Sequence, residues 1–105
     1  MMEKTVEWEL GFSLDEVIAG LEKLFAATGY RLKREKANTG ERFLAPLSQA
    51  GSCLLLAVHP LPARQLGPAI FFPRTLLSLH FTKTTPQEEA DFMKRLTMAF
   101  LRVGG

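Results

Sequence analysis

The sequence predicts a two-layer α+β sandwich in the order β-α-β-β-β-β-α, a largely antiparallel five-stranded sheet with two helices on one face. Three observations predict it. Two segments, one towards each end, carry apolar residues at helical spacing behind capping signals. Between them, Gly, Pro and Asn divide the chain into short runs with strand character. The links between these runs are short, which favours an antiparallel meander. Each helix has a single apolar stripe, so both pack on the same side of the sheet.

The first strand is residues 2–10. Met2, Lys4, Val6, Trp8 and Leu10 alternate with Glu3, Thr5, Glu7 and Glu9, giving one acidic face. Gly11 ends it. A helix over 13–28 follows. Ser13 and Glu16 form a capping box, Phe12 is placed to staple onto Val17, and Asp15 and Glu16 suit the positive end of the helix dipole. Leu14, Val17, Ile18, Leu21, Leu24 and Phe25 form the apolar stripe, and Gly29 is the natural stop.

Residues 30–47 read as a hairpin, Tyr30–Lys36 and Glu41–Leu47 joined by Ala37-Asn38-Thr39-Gly40, with Pro46 marking a strand end or a sheet edge. Ser48–Gly51 is a turn, and 52–59 is the fourth strand. Four of the six prolines then fall at 60, 62, 68 and 73, which predicts a loop over 60–73. The fifth strand is 74–83. The last helix opens with Thr85 as cap, Pro86 at its first position and Glu88 closing a second box. It carries Phe92, Met93, Leu96, Phe100 and Val103 on one stripe, has Arg102 near its end and stops at Gly104-Gly105. This element order is similar to that of the TATA-binding-protein-like and helix-grip folds. The likeness spans the chain but lies in element order alone, so it transfers no functional residue.

At 105 residues the chain is one domain, and 47% hydrophobic content with a net charge of +2 excludes disorder. A single cysteine, Cys53, excludes a disulfide scaffold. No apolar run reaches the ~18 residues of a membrane-spanning helix. The acidic, alternating opening MMEKTVEWEL lacks the layout of a signal peptide, so the expected location is cytoplasmic.

Strands four and five depart from the usual alternation of a sheet covered on one side. Leu54, Leu56 and Val58 share one face with Thr75, Leu77, Leu79 and Phe81. The other face collects Cys53, Leu55, Ala57, Leu76 and Ser78, flanked by His59 and His80, with no carboxylate. Monomers seldom leave an apolar patch much above ~300–600 Å² open. Three readings fit: the sheet curls or the 60–73 segment with Leu66, Ile70, Phe71 and Phe72 covers this face, a partner covers it, most simply a second copy packed sheet to sheet, or a hydrophobic ligand binds between sheet and helices.

Charge is uneven. Residues 1–30 have a net charge of −4, residues 31–83 of +6, and the hairpin 31–42 alone of +3. Arg31, Lys33, Arg34, Lys36 and Arg42 are therefore candidate phosphate contacts, set against the simpler role of solvating an exposed hairpin. The acidic first strand is a further candidate partner for this hairpin, in the same molecule or across a dimer. Cys53, His59 and His80 are the only non-carboxylate candidates for a metal, at spacings that match no zinc pattern. The glycines form no phosphate loop, and no carboxylate pair stands out for acid–base work.

The expected function is that of a non-enzymatic interaction domain without a cofactor, self-associating as a dimer through Leu55, Ala57, Leu76, Ser78, His80, Phe71 and Phe72. The alternatives are a nucleic-acid-binding module using the basic hairpin, and a small-molecule binder with a pocket between sheet and helices near Trp8, Tyr30 and His80.

Overall fold

The computed structural model describes residues 2–29, 31–37, 39–47 and 51–103. The elements are β1 (Met2–Leu10), α1 (Leu14–Thr28), β2 (Lys33–Ala37), β3 (Gly40–Pro46), β4 (Cys53–Gly67), β5 (Ile70–Thr84) and α2 (Pro86–Val103). They form one antiparallel sheet in the order β1-β5-β4-β3-β2, with the two helices on one face. Tyr30, Asn38, the turn residues 48–50 and Gly104-Gly105 lie outside the described residues.

Local signals set both helix starts. Ser13 caps α1 and exchanges bonds with Glu16, backbone N to Oε1 at 3.1 Å and Oγ to backbone N at 3.3 Å. Gly29 ends α1 at φ 73°, a left-handed conformation that costs glycine little. Thr85 and Glu88 repeat the box at α2. Glu88 also accepts a hydrogen bond from the Ser52 hydroxyl at 2.8 Å, which ties the helix start to the residue before β4. Phe12 packs toward α2, its ring 5.9 Å from Phe100, and its carbonyl accepts from the Thr75 hydroxyl.

The core lies between the layers. Leu54, Leu56 and Val58 of β4 and Leu77, Leu79 and Phe81 of β5 are fully buried against Val17, Leu21, Leu24 and Phe25 of α1 and Phe92, Leu96 and Phe100 of α2. Phe25 is the hub, with ring centroids 6.4 Å from Phe43 and 6.1 Å from Phe92. Gly20 lets α2 approach, because a side chain there would press on the Phe100 ring. Near its end β5 bulges at Lys83, which takes φ 57°. The extra residue resets the alternation, so Thr84 turns inward and donates to Glu89 at 3.0 Å.

Two expectations need correction. The link between β2 and β3 is two residues, since Ala37 pairs with Gly40. More important, 60–73 is not a loop. β4 and β5 each run for 15 residues and form a long hairpin turning at Pro68-Ala69. The prolines are tolerated because this part is two-stranded. β1 covers β5 only as far as Thr75, and β3 covers β4 only as far as Val58. Beyond those points each strand is an edge, where an outward position needs no N–H donor. Two extra residues on β4, between Leu61 and Arg64 and between Gln65 and Gly67, absorb the remaining irregularity. The resulting arm explains principal extents of 52 × 29 × 21 Å and a radius of gyration of 14.4 Å, against about 13 Å for a compact chain of this length.

Among the described glycines, Gly40 leaves the least room for a side chain. A Cβ there would fall inside the van der Waals envelope of the Val58 carbonyl oxygen. Gly40→Ala should therefore part β3 from β4 and cost about 2–3 kcal/mol, measured as a lower urea midpoint. Gly11→Ala, where a Cβ meets open space, should change stability far less.

Candidate functional site

Register defines the outer face of the sheet row by row. One row reads Thr5, His80, Leu55, Leu44, Lys33, and the next reads Glu7, Ser78, Ala57, Arg42, Glu35. Beyond them lie Glu9, Leu76 and His59 on one side, and Glu3, Thr82, Cys53 and Pro46 on the other. The centre is thus Leu55, Ala57, Leu76 and Ser78, with Leu44 beside it at 40% exposure. Cys53, Leu55, Ala57, His59, Leu76, Ser78 and His80 are all half-buried, shielded by neighbouring strands. Leu44 was missed by the sequence reading, although its alternation with Phe43 and Ala45 is the signal that finds it.

The 60–73 segment does not cover this face. It continues β4 and β5 past the end of the other strands, and Leu66, Ile70, Phe71 and Phe72 are 60%, 53%, 59% and 48% exposed. Phe72 and Ile70 stand on the side of Leu76 and Ser78, because β5 alternates without interruption through this region. Phe71 stands on the opposite side, apart from the rest of the expected partner-binding set. Neither Ile70 nor Phe72 enters the core.

The histidines are held by hydroxyls. His80 Nδ1 lies 2.8 Å from Thr5 Oγ1, and His59 Nδ1 lies 3.2 Å from Thr39 Oγ1. Among the described residues no three His, Cys, Asp or Glu side chains converge on a metal-sized site.

The expected pocket between sheet and helices is occupied by the core. Trp8 lies on the inner side, its ring 6.3 Å from Phe100, whereas His80 bonds Thr5 on the outer side. A hollow of about 970 Å³ lies between α1 and α2 and is bordered by Lys23, Leu24, Asp91, Lys94, Arg95 and Met98.

Alternation also divides the basic hairpin. Lys33 and Arg42 share the outer face with Glu35, and Lys33 lies 3.8 Å from Glu35. Arg34 and Lys36 share the helix side with Phe43 and Glu41. The Arg34 guanidinium donates from Nε and Nη2 to the two Glu41 carboxylate oxygens, reaches Glu22 of α1 at 3.4 Å, and sits 5.5 Å from the Phe43 ring centre. Arg31 is exposed. β1 and β2 are the two edges of the sheet, so the acidic strand and the basic hairpin do not pair within one molecule. Arg74 instead holds Glu9 at 2.6 Å. Among the described residues Glu3, Glu7 and Arg42 form no ion pair, although Glu35 lies directly across from Arg42 in the register.

Three carboxyls are held below the usual range: Glu41 by its bonds to Arg34, Glu9 by Arg74, and Glu88 by the Thr85 backbone N–H and the Ser52 hydroxyl. Compared with known proteins, the chain matches no protein-family model and no curated sequence. Among the described residues no helix is long and apolar enough to cross a membrane.

Because folding depresses these carboxyls, their contribution to stability is complete above the ordinary value of 4.5 and is lost as pH falls through the folded values. Urea midpoints followed from about pH 6 to about pH 3 should decline as pH falls below ~4.5. Glu41→Gln should start lower at pH 6 and fall less, because the Arg34 partnership has already been weakened.

Proposed function

We propose that the chain is a non-enzymatic interaction domain of the cytoplasm that self-associates through the outer face of its sheet. The observation that carries this reading is the apolar centre of that face, Leu55, Leu76, Ala57 and Leu44, which neither the helices nor the β4–β5 arm covers. A second copy, packed sheet on sheet at about 10 Å, removes these side chains from water. The carboxyls favour a structural account. Glu9, Glu41 and Glu88 are engaged in ion pairs or a cap and are pushed away from neutrality, whereas a general acid or base works with a pKa near the operating pH.

The basic hairpin gives weaker support to nucleic-acid binding. Arg34 is committed to Glu41 and Glu22, and Lys36 lies on the opposite side of the sheet from Lys33 and Arg42. Phosphate contact rewards cations that converge on one surface.

Light scattering after size-exclusion chromatography tests the dimer. The chain should elute with twice the monomer mass, and Leu55→Glu or Leu76→Asp should weaken association by roughly 30-fold or more, about 2 kcal/mol, with the circular dichroism spectrum unchanged. A monomer at all concentrations up to ~1 mM, a Kd that corresponds to only about 4 kcal/mol, would overturn the reading.

A further inference from the structure

We infer that the two copies are related by a twofold axis that runs along the strands, between β4 and β5, so that the two hairpin arms lie face to face and complete the interface. The inference rests on the sheet-face dimer and specifies its geometry. Aligned packing leaves two choices of axis in the plane between the sheets, along the strands or across them.

Charge separates these choices. The outer face of β1 carries Glu3, Glu7 and Glu9, whereas β3, three strands away, carries Arg42. Glu7 and Arg42 lie in one register row, with Ser78 and Ala57 between them. An axis along the strands between β4 and β5 preserves the row and exchanges β1 with β3. Glu7 of each copy then meets Arg42 of the other, so two charges that form no ion pair among the described residues of one copy find partners twice over. The same operation sets Leu55 over His80, Ala57 over Ser78 and Leu76 over His59. An axis across the strands sets β1 over β1 and β3 over β3, facing Glu against Glu and Arg42 toward its own copy. Like charges opposed across an interface disfavour that arrangement.

Area points the same way. Four strands at ~4.8 Å spacing and ~3.3 Å per residue offer roughly 500 Å² per copy, short of the ~800 Å² per partner of a standard interface. The outer side of the arm adds about 200 Å² on the same strand dimensions. It continues the apolar row with Leu61, Ile70 and Phe72, and Arg64 pairs with Phe72 there. Only the axis along the strands brings two arms together. The other axis sends them in opposite directions and leaves both exposed.

The test uses the full chain with Cys53→Ser and a nitroxide at Ala69→Cys, on the turn of the arm. Electron–electron double resonance should give an inter-copy distance of roughly 10–25 Å, since packed sheets stand about 10 Å apart. A light-scattering dimer whose labels lie beyond roughly 60 Å, as two oppositely directed strands of this length require, would overturn the axis while leaving the dimer standing. A monomer would overturn both. Charge exchange gives an independent measurement on unlabelled protein. Glu7→Arg and Arg42→Glu should each weaken dimerisation about tenfold, and the double variant should recover most of that loss. Additive losses in the double variant would count against the Glu7–Arg42 contact and hence against the axis.

Discussion

The structure depends on one imbalance: the two central strands are apolar on both faces, and the chain supplies helices for only one. β4 and β5 contribute Leu54, Leu56, Val58, Leu77, Leu79 and Phe81 to the inner layer, all fully buried. That layer is the source of most of the folding free energy, since burial of each such side chain contributes ~1.5–3 kcal/mol. The outer set, Leu55, Ala57, Leu76 and Ser78, is smaller and half-buried. The division by size is physically sensible. Bulk, Phe81 above all, goes where helices can pack around it, and the smaller Ala57 and Ser78 lie on the face that the helices leave uncovered.

Polar contacts at the margins hold the helix layer in place. At one end of the sheet, Glu88 joins Ser52 to the α2 cap, and one residue on, Glu89 receives the Thr84 hydroxyl and lies 3.7 Å from Lys4 of β1. The bulge at Lys83 makes this possible, because without it Thr84 would face outward. At the other edge Arg34 bridges β3 and α1 through Glu41 and Glu22. Both helices are thereby fastened to strands at the sheet margin by charged groups, while the aromatic cluster of Phe25, Phe43, Phe81 and Phe92 fills the middle. Exposed ion pairs contribute little individually. They add directional contacts at the margins to the apolar packing that fills the middle.

The order of elements, both capping boxes, the αL stop at Gly29 and the inner set of β4 and β5 were legible in the sequence, because each follows from spacing along a local segment. The arm was not. Proline reads as a strand breaker, and whether a strand position is an edge depends on where its neighbours end. β1 stops at Leu10 and β3 begins at Gly40, facts about other segments that no window around Pro60 or Pro73 contains. The basic hairpin misleads for a different reason. Charge summed along the chain hides that a strand distributes consecutive residues to opposite faces, so Lys33 and Arg34 never act together. Period-two bookkeeping would have separated them and would also have placed Leu44 beside Leu55. Whether Trp8 and His80 meet needed the register of β1 on β5, which sequence alone does not supply.

The placement of charge follows from the same topology. An acidic first strand and a basic second hairpin could have neutralised one another had they been neighbours. The sheet order puts them at opposite edges, with β5 and β4 between. Three strand spacings, about 14 Å, separate Glu7 from Arg42, beyond the Debye length of about 8 Å at physiological ionic strength. Within one molecule these charges therefore scarcely feel each other, while the apolar strip between them gains from leaving water. A surface with acid on one margin, base on the other and hydrocarbon in the centre is its own complement under a rotation that exchanges the margins. Removing water from the strip brings the margins within contact distance and lowers the local dielectric, so the electrostatic attraction is largest in the arrangement that also buries the most apolar surface. In the proposed dimer the two driving forces favour the same pose, the one in which the margins are exchanged.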